Sequence, residues 1–487
     1  MVAYDRRRHQ GGAAVTTLRD RIYLDGAWHP SEGGHSLDVM NPATAEVLGS
    51  VPDGTVADAD RAVEAARGAF PEWSASSART RAEVLRKLAQ GLADAQEEIA
   101  TTVTREVGTP IERSRPWQAA QPALVTSLYA RLLETYSFEE QVGNSIVVRE
   151  PVGPVACIAP WNFPLHQAVL KVAPALAAGC TVVLKPSSLS PLNAFVLTDI
   201  VDSIGLPRGV FNLVTGPGAT VGERLAEHPD IAMVSLTGST QAGRRVAALG
   251  AQTIKRVTLE LGGKSANLIL EDADLEAAIQ NGVHNCYANA GQTCAAWTRM
   301  LVPRSLLALA EEIAADTASG YRLGDPMDER TTMGPLISAD QRESVLTFIR
   351  KGVQEGAKLV TGGTEPPPAL GNGFFVSPAI LSEVTRTMLV ARAEIFGPVL
   401  CIMPYDDEGD AVTMANDTIY GLHGAVWSAD TERALQIARR LQTGRVDING
   451  AAFNYEAPFG GYKQSGTGRE LGVYGLEEFL ELKAIST

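Results

Sequence analysis

The sequence predicts an α/β protein with two doubly wound α/β domains and a small β element set apart from both. Three observations carry this expectation. From Val152 onward, short apolar runs alternate with helical stretches, and a second alternation runs from Ser265 to about Asn449. Strands separated by helices of this length imply parallel sheets covered on both faces. The third observation is length, because 487 residues exceed what one simple core fills.

The elements follow in order. Residues 60–70 and 77–107 carry helical periodicity. In the second stretch Val84, Leu85, Leu88, Leu92, Ile99 and Val103 fall on one side, and Gly108-Thr109-Pro110 ends it. A further helical pattern covers 119–135, and residues 142–148 are strand material outside the alternation that follows. Strands are then expected at 155–159, 181–184, 210–214, 231–236 and 256–259. The helices between them are expected at 164–178 and 192–204, from about 219, and after Gly238. Pro164 stands near the start of the first of these helices and Gly179 at its end, the usual asymmetry. An amphipathic run over 274–290 leads into Gly291-Gln292-Thr293-Cys294, and Met300-Leu301-Val302 resumes the strand pattern. No internal repeat is present, and Glu365-Pro366-Pro367-Pro368 reads as a surface turn.

Composition excludes several function classes. Hydrophobic content of 45% and charged content of 20% fit an ordinary globular chain. With 56 acidic against 42 basic residues, the formal charge is −14, which argues against a nucleic-acid or membrane partner. Cys157, Cys180, Cys286, Cys294 and Cys401 are odd in number, scattered and never arranged as C-x-x-C. Neither a disulfide framework nor a zinc site is therefore expected, and a cytoplasmic location is. The seven histidines have no metal-ligand spacing, so no metal is expected. The basic start, Arg6-Arg7-Arg8, has no apolar segment behind it, and residues 1–20 are expected to form a disordered tail.

Doubly wound sheets bind ligands beyond the carboxyl ends of their strands. Pro160-Trp161-Asn162-Phe163-Pro164, Lys185-Pro186-Ser187-Ser188, Gly216-Pro217-Gly218 and Gly238-Ser239-Thr240 each stand just after a strand. A lysine such as Lys185, leaving an apolar run, suits a ribose hydroxyl or a phosphate. Gly238-Ser239 opens a helix whose free N–H groups attract phosphate. Gly262-Gly263-Lys264-Ser265 imitates a P-loop, but Thr258 occupies the first glycine position. Cys294 lies behind a glycine at a helix-to-strand junction, as a nucleophile does, although a buried inert cysteine has the same spacing. A thiol with the carboxylate of Glu260 nearby suits covalent acyl chemistry followed by hydrolysis. The Asn162 amide, on a proline-bounded turn, could donate to a developing oxyanion.

These motifs, with Glu260-Leu261-Gly262-Gly263-Lys264, Glu394-Ile395-Phe396-Gly397-Pro398, Asn416, Tyr420-Gly421-Leu422 and Pro458-Phe459-Gly460-Gly461-Tyr462-Lys463, stand in one order. From about Ile22 to Lys483 the chain resembles the aldehyde dehydrogenase superfamily. The resemblance implies oxidation of an aldehyde to a carboxylic acid with NAD+ or NADP+. Cys294 would be the nucleophile, Asn162 the oxyanion donor and Glu260 the general base for thioester hydrolysis. It implies cofactor binding by Trp161, Lys185, Ser188, Gly218, Gly238, Ser239, Glu394 and Phe396. Many NAD-preferring members have a glutamate where this chain has Ser188, so NADP+ is expected to be at least tolerated. Gln167, Leu170, Trp297, Phe453 and Phe459 are expected to line the substrate tunnel, with Trp117 a further candidate. No arginine suggests a clamp for a substrate carboxylate, which points to an uncharged aliphatic or aromatic aldehyde; Arg299 matches a general family position.

The implied dinucleotide-binding domain spans 21–128 and 149–260, and the catalytic domain 261–462. Residues 129–148 and 463–487 match an oligomerisation arm, so a homodimer or homotetramer is expected. Two rival readings are a thiol esterase working without cofactor and a catalytically silent binding protein on the same fold.

Overall fold

The computed structural model describes residues 17–487 except residue 369. Most of the expected N-terminal tail, residues 1–16, therefore lies outside the described residues. Thr17–Leu18 is already a strand, paired in parallel with Glu46–Pro52.

The first large sheet has five parallel strands: β1 (Pro154–Ile158), β2 (Thr181–Lys185), β3 (Phe211–Leu213), β4 (Met233–Thr237) and β5 (Arg256–Glu260). Their spatial order is β5-β4-β1-β2-β3. Helices α1 (Pro164–Ala178), α2 (Leu192–Ser203) and α3 (Thr240–Gly250) are among its connections. Side chains alternate across a strand, so Val155 and Cys157 enter one core while Ala156 and Ile158 enter another on the opposite face. Both faces are thereby covered, as the continuous apolar strands require. The edges depart from the parallel expectation: Gly466–Thr467 joins β5, and the hairpin Arg21–Leu24/Ala27–Pro30 joins β3, all antiparallel.

The second sheet holds β6 (Ala266–Ile269), β7 (Arg299–Pro303), β8 (Ala379–Ser382), β9 (Val399–Tyr405), β10 (His423–Trp427) and β11 (Arg445–Ile448). These run parallel in the order β8-β9-β7-β6-β10-β11, with Lys358–Thr361 antiparallel on β8. Helix α4 (Leu275–Tyr287) contributes Ala278, Ile279 and Val283 to this sheet's own core.

Two expectations are corrected. The helix expected over 77–107 is two, Ala78–Asp94 and Gln96–Val107. The chain turns at Ala95 so that Leu85, Leu92, Ile99 and Val103 all reach one core. The single strand expected at 142–148 is a hairpin, Glu139–Val142 and Ser145–Pro151, turning at Gly143 with φ +59. That glycine supplies the left-handed conformation a tight hairpin needs. The hairpin's second strand also pairs with Leu480–Ser486, so the last strand of the chain completes a three-stranded sheet.

Candidate active site

Cys294 is delivered by an unusual turn at the end of α4. Asn289, Ala290 and Gly291 follow one another with φ of 54°, 55° and 72°. Successive left-handed residues are costly for side chains other than glycine and persist only where the surroundings fix them. Here side-chain amides do so. Asn289 Nδ2 donates to the Asn162 carbonyl at 3.0 Å, and its Oδ1 accepts from Thr109 Oγ1 at 2.6 Å. Gln292 Nε2 donates back to the Asn289 carbonyl at 3.1 Å, and Gln292 Oε1 accepts from Ile337 N at 2.9 Å. Gly291 is pressed against the Gly397 carbonyl, where any side chain would collide.

The same network orients Asn162. Its carbonyl accepts from Gln118 Nε2 at 2.9 Å as well as from Asn289. Its own Nδ2 donates to the Gln292 carbonyl at 3.0 Å, two residues before Cys294. One N–H of the amide is spent in fixing the group and the second is left free as a donor.

Glu260 ends β5, and the two glycines after it let the backbones of the two sheets meet. A side chain at Gly262 would overlap the Glu394 carboxylate, and one at Gly263 the Cys294 carbonyl. Both Glu260 oxygens are buried without a hydrogen-bond partner, Oε1 lying 2.7 Å from where a Gly460 Cβ would stand. Burial, reinforced by the nearby Glu470, raises the Glu260 carboxyl well above the ordinary carboxylate range, with Lys171 and Arg469 opposing. Burial likewise pushes the Cys294 thiol up to about 12, helped by Glu394, Glu260 and Glu470. The resting thiol is therefore protonated and needs a base to become a nucleophile.

Sequence reasoning missed the buried pair behind this site. Lys171 Nζ, in the middle of α1, donates to Glu470 Oε1 and to Thr237 Oγ1, both at 2.6 Å. The signal was available: Lys171 is the one charged residue in the fifteen-residue helix α1, all of which is buried.

The candidate cofactor residues collect at the strand ends. Lys185 Nζ is buried and donates to the Pro186 carbonyl at 2.8 Å, and burial lowers it to about 8. Ser188 Oγ donates to the Gly216 carbonyl at 2.9 Å. Ser239 caps α3, accepting from Ala242 N at 3.1 Å, with Gly238 before it. A Cβ at Gly218 would meet open space. From the other sheet, Glu394 accepts from Gly263 N at 3.0 Å, and burial raises its carboxyl to about 7. The Phe396 ring meets Trp161 edge to face at 5.2 Å.

The five tunnel candidates divide. Leu170 and Phe459 belong to one buried cluster, with Cys294, Ala295 and Tyr455 packed against it. Phe453 is 41% exposed and its ring lies 4.7 Å from Tyr455 and 6.0 Å from Phe459. Gln167 is buried, its Oε1 accepting from Thr237 Oγ1 at 3.2 Å. Trp297, 2% exposed, sits in the core of the second sheet and donates from Nε1 to His423 Nδ1 at 3.2 Å. It points inward because the strand that follows, β7, is central in its sheet and buried throughout. Trp117 lies under the Arg113 guanidinium at 5.1 Å. Tyr455, absent from the sequence candidates, completes the aromatic group.

Residues 28–485 match the family model described as the aldehyde dehydrogenase family. The chain belongs to the aldehyde dehydrogenase family. It is 50% identical to a 3-succinoylsemialdehyde-pyridine dehydrogenase of a Pseudomonas species, over 96% of this chain and 99% of that protein. A mutant aldehyde dehydrogenase C from Pseudomonas syringae, solved with NAD+ and octanal, superposes with a TM-score of 0.95 at 48% identity, covering 96% of each chain. The Mycobacterium tuberculosis aldehyde dehydrogenase with NAD+ gives 0.95 at 41% identity, covering 97% of this chain and 99% of that one.

This aldehyde dehydrogenase thus oxidises an aldehyde with NAD(P)+. The residues present fit such a cofactor. Lys185 has three N–H groups and one protein acceptor, so a ribose or phosphate oxygen would complete its bonding. Among the described residues no group of histidine, cysteine and carboxylate side chains could hold a metal ion, and no helix is long and apolar enough to cross a membrane.

Proposed function

We propose that Cys294, Asn162 and Glu260 carry the oxidation in the roles expected from the sequence. The Cys294 thiol gives up its proton to water as Sγ attacks the aldehyde carbon, and the carbonyl electron pair moves to oxygen. The free Asn162 N–H and the Cys294 backbone N–H stabilise that oxyanion. Bound NAD(P)+ supplies the acceptor for the hydride that leaves the thiohemiacetal carbon. Glu260 then takes a proton from water as the water adds to the thioester; the C–S bond breaks, the sulfur regains a proton and the acid departs. The observation that carries this reading is the Asn162 amide locked by the Gln292 carbonyl beside the nucleophile.

A Glu260→Gln variant tests it. The first turnover should still release about one equivalent of reduced cofactor, read by its absorbance, and the acyl-enzyme should then accumulate as a mass increment on Cys294. Because the Glu260 carboxyl is raised, its basic form exists only above that raised pKa. Wild-type hydrolysis should therefore speed up as pH rises through it, and the glutamine variant should lose that limb. Undiminished steady-state turnover in the variant removes the role.

We further infer that Trp161, Lys185, Ser188, Gly218, Gly238, Ser239, Glu394 and Phe396 form the cofactor site. A serine at 188 leaves no carboxylate there to repel a 2′-phosphate, so both cofactors should be accepted. A kcat/KM ratio favouring NAD+ by more than about a thousandfold, roughly 4 kcal/mol, would contradict this.

The acyl pocket is assigned to Leu170, Phe453, Tyr455 and Phe459. Arg445 is engaged by Asp447 at 2.8 Å and stacked 4.0 Å over Phe453, so it is no free clamp for a carboxylate. An uncharged aliphatic or aryl aldehyde fits best. The octanal bound by one similar structure and the pyridine-bearing semialdehyde named for one relative support that class.

The first sheet is assigned the dinucleotide, the second the nucleophile, and the three-stranded sheet oligomerisation. Five free cysteines suit a reducing cytoplasm.

A further inference from the structure

Beside the residues assigned to the acyl pocket stands a polar group that neither the fold nor the proposed chemistry uses. His166 lies in the first turn of α1, four residues after Asn162 and four before Leu170. Residues four apart share a helix face, so His166 stands on the face of Leu170, a member of the buried cluster that includes Phe459 and has Tyr455 and Cys294 packed against it. His166 is 8% exposed, and its Nδ1 is buried with no hydrogen-bond partner. Its polar neighbours on the helix are already paired: Gln167 with Thr237, and Lys171 with Thr237 and Glu470. Buried polar groups in folded proteins are nearly always satisfied, so a buried, unpaired imidazole on the face of Leu170 and one turn from Asn162 marks a missing partner. Burial, with Lys171 nearby, lowers the imidazole to about 4. It is neutral at neutral pH and offers one N–H and one lone pair.

We propose that His166 is a specificity-determining residue that hydrogen-bonds an uncharged polar atom, a ketone oxygen, on the acyl chain of an otherwise apolar aldehyde. The inference rests on the acyl pocket assigned above. The aromatic residues would take the hydrocarbon or aryl body, and His166 would select chains with an acceptor a few bonds from the aldehyde carbon. A site built around a polar group discriminates against the analogue that lacks it, because the protein's own group is then left unpaired.

The test uses a matched pair, γ-oxo-γ-phenylbutanal and γ-phenylbutanal, with octanal as reference. The wild-type enzyme should show the higher kcat/KM for the keto aldehyde. His166→Leu should lower that value about tenfold, the weight of one hydrogen bond, and change the keto-free partner and octanal by less than about twofold. His166→Gln, which keeps a donor, should recover part of the loss and serves if the leucine variant does not fold. Equal turnover of the pair by wild type, or a parallel fall for both in the variants, overturns the proposal and leaves His166 a packing residue or the partner of a fixed water. Oxidation of octanal but of neither phenyl compound overturns it too, with the active-site reading intact. Failure with all three aldehydes removes the underlying reading itself.

Discussion

Asn162 illustrates how a single residue is held ready for the proposed role of oxyanion donor. An asparagine amide has two N–H groups, and leaving both free would let it rotate. The Gln292 carbonyl holds one, and Asn289 and Gln118 hold the backbone carbonyl behind it. Asn289 is thus a positioning residue, acting through Asn162. Replacing it separates two effects, because it also sits at φ 54°. Asn289→Gly tolerates that backbone and removes only the amide; Asn289→Ala removes the amide and adds left-handed strain of about 1–2 kcal/mol. Both variants should lose roughly tenfold or more in kcat with KM and cofactor affinity nearly unchanged, and only the alanine variant should melt markedly earlier. A kcat equal to wild type in the glycine variant rules out the positioning role. The sequence offered Asn162 through its motif but gave no hint of Asn289, whose role depends on contacts 127 residues away.

At the scale of elements, the turn after β5 matters most. Glu260, Gly262 and Gly263 lie at the strand end where the first sheet meets the loop bearing Cys294 and the loop bearing Glu394. The β-type run at 256–259 made β5 legible, and the glycines after it were visible only as an imitation of a P-loop. Their purpose was not, since close approach involves chain remote in sequence. Gly263→Ala would force the new methyl into the Cys294 carbonyl. The nucleophile should shift by some tenths of an ångström to an ångström, and kcat/KM should fall by about a hundredfold, while stability falls by only about 1–3 kcal/mol. Parallel loss of activity and fold, seen by melting, would instead show general disruption. The missed hairpin at Gly143 belongs to this scale also. A strand pattern continues across a two-residue turn when both arms have β-type residues, so only the glycine betrayed it.

On the scale of the whole molecule, two large sheets with separate cores meet, and a third sheet, of Glu139–Val142, Ser145–Pro151 and Leu480–Ser486, stands beside them. That third sheet has exposed apolar residues on its strands, Leu482 at 70% and Val142 at 54%. Exposed strand pairs with apolar side chains need a partner surface or become aggregation sites. We expect this sheet to be an oligomer contact: removal of the last strand, residues 480–487, should convert the assembled species to a smaller one by light scattering, with soluble monomer the product. A wild-type chain that is monomeric at micromolar concentration contradicts the assignment. Within the first sheet's core, the Lys171–Glu470 pair joins α1 to the segment before the C-terminal strand. It ties the nucleotide-side helix to the part of the chain that packs beside Phe459, since Glu470 and Phe459 exchange backbone hydrogen bonds at 2.7 and 2.9 Å.

The sequence by itself determined the α/β class, the strand-end location of the chemistry and the identity of Cys294, Glu260 and Asn162 as candidates. These depend on local quantities: periodicity, turn residues and short motifs, each read within a few residues. Tertiary structure alone decided how the tunnel candidates are bonded: Gln167 pairs with Thr237 and Trp297 with His423. It also decided that His166 has no partner, that Lys171 and Glu470 are paired, and that Asn162 keeps one free N–H. Side-chain direction and hydrogen-bond satisfaction are set by neighbours tens to hundreds of residues distant, and no local pattern encodes them.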